Sequence, residues 1–343
     1  MQKKIIALAV VGLMSGAAFA QSNVTIYGQM RVSVDHTNAQ AVNSDFWSVS
    51  DQASRIGFKG AEDLGGGMKA IWQWESAVNT TNSTTVGTTQ RNTFLGLSGN
   101  FGTALAGTHD TPYKLGGCAD LFGDTAADAC GNVAAASLGT QATTIIGRNG
   151  FDNRLTNVLA YISPTWSGFH FAVAGVAGEG TGASNSPNGL TDAYSMVGVY
   201  ANGPLKVTLG HEVRTADFVS TTAGTEKAKG TKFNVAYKIG AIGLGYTYES
   251  STDIAAATVG RVKDKGQLAS VSYTMGKTVL GIQAGRFDNR DAAATTGDVS
   301  TWTAGAYHNL SKRTQAYAAY HHGNPQGADN NVSVITAGLN HSF

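Results

Sequence analysis

The residues of this chain that could do chemistry fall into three groups. Arg31, Arg55, Arg91 and Arg154 stand on separate runs of alternating apolar and polar residues, and Asp110, Asp120, Asp124 and Asp128 share one long polar connection, 110–151. Cys118 and Cys130, the only two cysteines, lie inside that same connection. The histidines are scattered. His321 and His322 are adjacent, so they point to opposite faces of a strand and cannot clamp one metal ion from one wall. His109 and His170 have no evident acid or nucleophile partner.

Bond-making chemistry needs a tighter constellation than this. No G-x-S-x-G, H-E-x-x-H or phosphate-binding lysine loop is present. "GEGTGAS", 178–184, is glycine-rich but falls between strands, where loop glycine explains it better than a nucleotide cradle. A serine and a histidine on separate strands of a membrane barrel would still make a hydrolase, and that stands as a second function class. No enzyme activity, cofactor or metal is expected.

The start of the chain bears on the compartment. Lys3 and Lys4 precede an apolar run from Ile5 to Met14, which ends in small residues at Ala18-Phe19-Ala20. The run is too short to span a bilayer, and its three-part order is that of a secretory leader cleaved before Gln21. Residues 1–20 are therefore expected to be a signal peptide and 21–343 a single domain. In an exported protein the cysteine pair reads as a local disulfide, worth about 3 kcal/mol by loop closure; metal binding is the alternative, and it lacks companion ligands.

Beyond the leader no apolar stretch is long enough for a transmembrane helix. Charged residues are 14% of the chain, against roughly 25% in ordinary globular domains. Glycine is abundant (44 residues), proline rare (5), and the net charge is +1. That composition suits many paired strands joined by turns, and the charge gives no reason to expect a nucleic-acid partner.

The elements that must position the charged groups are strands. About sixteen period-two runs are expected, near 23–35, 53–60, 67–77, 91–98, 102–109, 152–163, 168–177, 191–202, 204–215, 229–239, 241–251, 264–275, 277–287, 299–309, 313–323 and 331–343. Their connections alternate. His36 to Gln52 is long, Ala61 to Gly66 short, Val78 to Gln90 long, Gly99 to Phe101 short, and the order persists to the end of the chain. Short turns on one rim and long loops on the other describe an up-and-down antiparallel barrel that crosses a bilayer. Both termini then lie on the short-turn rim.

"VTIYGQMRVSV", 24–34, shows why the direction of each face decides function. Val24, Ile26, Met30, Val32 and Val34 share one side; Thr25, Tyr27, Gln29, Arg31 and Ser33 share the other. A soluble sandwich would bury the apolar side, whereas a membrane barrel turns it to lipid and turns Arg31 into a wet lumen. Elsewhere the polar side is rich in hydroxyls and glycine, which suits water. Trp72, Trp74, Tyr246 and Tyr248 end apolar faces, as interfacial rings do, although strand propensity alone would also place them there. A secreted soluble binding protein is the third class considered.

Several stretches together resemble the general porins of Gram-negative outer membranes, in particular the beta-proteobacterial branch. They are "NVTIYGQMRVSV", "SRIGFKGAEDLGGGMKAIWQWE", "RNTFLGLSGNFGTALAGTHDTPY", "NRLTNVLAYISPTWSGFHFAVAG", "YHNLSKRTQAYAAY" and the terminal "GLNHSF". The resemblance implies an all-β barrel of about sixteen strands, a homotrimer among outer-membrane lipid and lipopolysaccharide, and passive diffusion of ions and small hydrophilic solutes. It identifies 110–151 as a constriction loop folded into the lumen, with "DLFGDT" similar to an acidic constriction motif. It aligns Arg31, Arg55, Arg91 and Arg154 with a basic cluster on the facing wall, while Lys59, Lys69 and Glu75 share their phase. It also makes Leu339, His341 and terminal Phe343 similar to the signal read by the barrel assembly machinery. Cations on one wall and carboxylates opposite would set a transverse field, here with a mild anion preference. A substrate-specific channel is the alternative, without an aromatic slide or dedicated pocket to support it.

Overall fold

The computed structural model describes residues 24–40, 43–82, 87, 89–131, 143–178, 189–215, 227–252, 263–290, 297–326 and 331–343. The expected leader, 1–20, and most of "GEGTGAS" lie outside the described residues. The strands are β1 (Thr25–Ala39), β2 (Ser44–Asp51), β3 (Arg55–Gly65), β4 (Met68–Ala77), β5 (Thr93–Gly99), β6 (Gly102–Asp110), β7 (Arg154–Ile162), β8 (Phe169–Val176) and β9 (Ala193–Asn202). They continue as β10 (Leu205–Arg214), β11 (Ala228–Ile239), β12 (Ile242–Ser251), β13 (Asp264–Met275), β14 (Thr278–Asp288), β15 (Val299–Asn309), β16 (Thr314–Pro325) and β17 (Val332–Ser342).

From β3 onward each strand pairs antiparallel with the next in the chain, and β1 pairs with β17 from Gln29↔Ser342 to Ala39↔Val332. The sheet thus closes on itself and has no free edge. β2 and β3 both pair with β1, β2 along Val32–Ala39 and β3 along Thr25–Gln29. They are two parts of one stave interrupted at Gln52–Ser54, so the seventeen segments make a sixteen-strand barrel.

Here the structure corrects the expected long connection from His36 to Gln52. β1 runs on to Ala39 and β2 returns beside it, with His36 opposite Trp47 and Ala39 opposite Ser44. The polar run "DHTNA" hid this extension. Its backbone groups are satisfied by a ladder on each side, to β2 and to β17, and ladder bonds hold a strand whatever the side chains.

The short turns follow from backbone geometry. Gly203, Gly240 and Gly276 take φ of +56°, +56° and +59° as the first residue between paired strands. A two-residue hairpin of the right twist needs positive φ there, which glycine adopts without strain.

The direction of the faces is settled by exposure. Ile26, Met30, Val34, Leu209, Leu244, Ile282, Ile335 and Leu339 all stand exposed on the outside, while Arg31, Ser33, Asp35, Thr208, Lys232, Thr247, Gln283 and Thr336 are buried on the inside. A fold with its apolar side chains outside and its polar ones inside is stable only where the outside is hydrocarbon. The inner face is not polar throughout, however. On β7–β9 the buried inward residues, Ser195 apart, are Val158, Ala160, Ala172, Ala174, Val176, Ala193, Val197 and Val199, packed with Leu105, Phe94, Leu155 and Ile162. That part of the wall departs from the expected hydroxyl-rich lumen.

The chain ends on the seam. The Phe343 amide donates to Gly28 O at 3.1 Å, and the Gly28 amide donates to the main-chain oxygen of Phe343 at 3.2 Å. Its ring lies where a Cβ on residue 28 would be, 2.4 Å from that position, so only glycine fits beneath it.

Candidate functional site: the loop inside the barrel

The segment between β6 and β7, of which 111–131 and 143–153 are described, is bound in those parts to the inner wall, strand after strand. It opens with α1 (Pro112–Leu115), a single turn of helix capped by Thr111, whose side chain accepts from Lys114 N, with Pro112 at the first position. The Tyr113 amide donates to Ser195 on β9 at 2.9 Å, and Thr208 on β10 donates to Gly116 O at 2.7 Å. The Ala119 amide then donates to Thr247 on β12 at 2.8 Å, and the Leu121 amide to Gln283 on β14 at 2.7 Å. Phe122 stacks on Tyr307 of β15 with ring centroids 5.6 Å apart. Finally Arg31 on β1 donates through Nη1 to Asp124 at 2.9 Å and through Nη2 to Gly123 O at 3.2 Å. Inward hydroxyls and amides thus supply the partners that irregular backbone needs once it is away from bulk water.

The returning arm is held more heavily. Ile145 and Ile146 pack with Leu268, Phe287 and Val299. Tyr113 Oη donates to Glu249 at 2.8 Å, and the Gly147 amide donates to both oxygens of the same carboxylate at 3.1 Å. Burial, then the Glu249 carboxylate, push the Tyr113 phenol well above its ordinary range, so it remains a donor. Lys232, almost fully buried, pairs with Asp152 and lies 4.6 Å from the centre of the Tyr113 ring. Arg214 pairs with Glu212 at 2.7 Å and covers the Phe151 ring at 5.3 Å.

The four expected arginines do not form one group. Arg31 and Arg55 converge on Asp124, at 2.9 and 3.6 Å. Arg91 reaches Glu75 at 2.5 Å, and Tyr27 donates to the other oxygen of that carboxylate at 2.9 Å. Arg154 stands apart and pairs with Asp110 at 3.0 Å, sharing Asn92 with it.

The aspartates divide as well. Asp124 is the one of the four that meets Arg31 and Arg55. Asp110 ends β6 and pairs with Arg154 and, at 3.7 Å, with Lys114. Asp120 accepts from the amides of Phe122 and Ala129, and Asp128 from those of Asp124 and Cys130, so these two carboxyls shape the loop tip. Burial, and then the adjacent Asp120, raise the Asp128 carboxyl well above the usual carboxylate range. Cys118 and Cys130 are joined by a disulfide that closes this tip.

Leu339, His341 and Phe343 point outward near the closing seam. His321 is buried inside between Thr303 and Thr143, and His322 bonds Ser333 on the other face, so the adjacent pair is split as strand geometry requires. Among the described residues no group of three or more His, Cys, Asp or Glu could hold a metal ion. The sequence reading missed Lys232, Glu249, Asp152 and Glu212. The inward phase of Lys232 and Glu249 was legible, but their partners Asp152, Tyr113 and Gly147 come from the loop, which no spacing rule brings to them, whereas Glu212 meets Arg214 two residues along its own strand.

A family model of Gram-negative porins matches residues 7–328. The chain is a Gram-negative porin. Among curated relatives of this porin is outer membrane porin protein 32 of Delftia acidovorans, 32% identical over 220 residues, 61% of this chain and 59% of that one. Another is major outer membrane protein P.IB of Neisseria gonorrhoeae, 30% identical over 210 residues, 59% of this chain and 56% of that one. The porin therefore spans less than two thirds of the length of these relatives in the matched region. Among solved structures, the anion-selective porin from Comamonas acidovorans superposes with a TM-score of 0.74 at 22% identity, over 94% of this chain and all of that one. The trimer form of OmpT from Vibrio cholerae gives 0.67 at 17%, over 94% and 99%. At those identities the superpositions establish the sixteen-strand fold.

Proposed function

We propose that this porin is a water-filled outer-membrane channel for passive diffusion of ions and small hydrophilic solutes, narrowed by the 110–151 loop and mildly anion-selective. One observation carries the reading. Arg31 and Arg55 project from the barrel wall onto a single loop carboxylate, Asp124, inside a barrel whose outer face is apolar. Two guanidinium groups against one carboxylate leave a net positive charge at the narrowing. A field fixed across a confined gap orients dipolar solutes and favours anions. The anion selectivity named for the Comamonas porin supports the sign.

Arg91 and Arg154, each matched by its own carboxylate, extend the charged wall on either side. Asp110, Asp120 and Asp128 act by holding the loop in place, and the Cys118–Cys130 bridge stiffens its tip. The working unit is a homotrimer seated in outer-membrane lipid and lipopolysaccharide, a state supported by the trimer named for the Vibrio protein. Residues 1–20 direct export and are removed before Gln21, leaving 21–343 as one barrel domain. Leu339, His341 and Phe343, outward and beside the seam, are the contact for the barrel assembly machinery. No catalytic step is assigned.

Planar-bilayer recording on purified protein tests the reading. Stepwise currents are expected, with a reversal potential of anion sign across a KCl gradient that shrinks as salt rises and charges are screened within about 10 Å at 0.1 M. A reversal potential of cation sign overturns the selectivity, and the absence of current overturns the channel. Intact mass of the mature protein is expected to begin at Gln21.

A further inference from the structure

We propose that the porin holds a binding station for small oxyanions just below the constriction, on the side of the short turns, with Lys312 and Arg313 as its ligands and Arg31 at its inner end. The station deepens the channel reading and rests on it. Short turns face the periplasm in barrels of this kind, so a solute leaving the narrowing meets the station next.

A cavity of about 470 Å³ lies between the underside of the loop tip, at Leu121 and Gly123, and the β15–β16 turn at Ser311–Arg313. Arg31, Lys312 and Arg313 line it, and no Asp or Glu does. Its remaining polar lining is amide and hydroxyl, with Asn309 and Asn340 foremost. A second cavity of about 290 Å³ shows the contrast. It lies among the two arms of the same loop and is lined by Asp124, Asp128 and Asp152 against the single cation Lys114. The loop therefore separates an acidic space from a basic one.

The basic space is built to take an anion with several acceptor oxygens. Ser311 Oγ accepts from the amides of Arg313 and Thr314 at 3.1 and 2.9 Å, which fixes the turn that carries both cations. Arg31 is oriented by Asn340 at 3.2 Å and spends part of its charge on Asp124, whereas Lys312 and Arg313 form no ion pair among the described residues. The terminal residue Phe343 does not line the space, and its main-chain oxygen is engaged by the Gly28 amide. A guanidinium fork and an ammonium beside amide donors match the geometry of an oxyanion better than that of a bare halide.

Inorganic phosphate is the probe. Its ³¹P line is expected to broaden on addition of the full-length, detergent-solubilised protein at low ionic strength, and the broadening to fall about tenfold in Lys312→Gln/Arg313→Gln, which removes two charge-assisted contacts. Lys277→Gln, on another short turn and outside the cavity lining, is expected to leave it unchanged. Equal broadening by wild type and the double variant overturns the station, as does an equal fall with Lys277→Gln, which would mean attraction by general rim charge. Bilayer recording of the same preparations in KCl keeps the two readings distinct. Currents without phosphate binding remove the station and leave the channel standing, whereas phosphate binding without currents would overturn the channel and retain the anion site.

Discussion

The inner wall of this barrel has two textures. Along β7–β9 it is dry and closely packed, with Val158, Ala160, Ala174, Val176 and Ala193 almost fully buried against Phe94 and Leu155. Along β1, β3 and β4, and at the entry to β5, it is charged and meets the loop or the lumen through Arg31, Arg55, Glu75 and Arg91. Both stretches obey the same strand alternation and both face inward. What differs is what covers them. A small apolar side chain can be closed over by its neighbours, whereas a guanidinium must find a carboxylate or water. The dry wall holds shape, and the wet wall carries the charge on which the proposed selectivity rests.

The difference can be broken by exchanging the textures. Ala174→Asp places an unpaired carboxylate in the dry wall and is expected to cost about 3–5 kcal/mol, the penalty of an uncompensated buried charge. Gln29→Glu, on the half-buried wet wall beside Arg31, is expected to cost less than about 1 kcal/mol. Urea unfolding followed by the gel shift of unboiled protein measures both, and equal losses would mean that the two walls do not differ in solvation.

Reducing the Cys118–Cys130 bridge comes next in size. It closes the tip that carries Asp120, Asp124 and Asp128, and its loss is expected to remove about 3 kcal/mol of restraint from that segment. Single-channel current should become noisier after dithiothreitol while the barrel still migrates as folded. An unchanged trace would show that the wall contacts alone hold the tip.

Arg31→Glu/Arg55→Glu sharpens the role of the wet wall. Its reversal potential is expected to move toward cations, by about tenfold in permeability ratio or 1.4 kcal/mol. A ratio that stays put would place the selectivity elsewhere.

The smallest effect expected is with pH. Burial and Asp120 raise the folded-state affinity of Asp128 for its proton. A raised carboxyl contributes stability that is complete below its unfolded value and is lost as pH rises through the folded one. The tip should therefore be tighter in acid and looser toward alkali, read as a rise in current noise with pH. Asp120→Asn is expected to shift that rise to lower pH, and noise that falls with pH would reverse the assignment.

Much of the barrel was legible because a strand announces its two faces every second residue. The phase of Arg31, the short turn at Gly240 and the closing strand ending at Phe343 all follow from local spacing. The extension of β1 to Ala39 was not legible, since its pairing partners Ser44 and Val332 lie on opposite sides of it and its own residues are polar. The site was legible in composition only. Arginines and aspartates could be named, but Arg154 belonged with Asp110, Arg91 with Glu75, and Asp120 with loop amides. Such pairings depend on where a long irregular segment lies, and irregular backbone has no period to read.

By itself the sequence determined that these strands have an apolar and a polar side, that their connections after the first alternate in length, and that the longest connection carries the acids and both cysteines. Local sterics and the pleat settle those matters within a few residues. Only the tertiary structure decided which face is covered, which carboxylate each arginine meets, and that Lys232, Glu249 and Tyr113 hold the loop against the wall. Those outcomes depend on groups far apart in the chain, brought together only when the sheet closes and the loop must satisfy its backbone inside it.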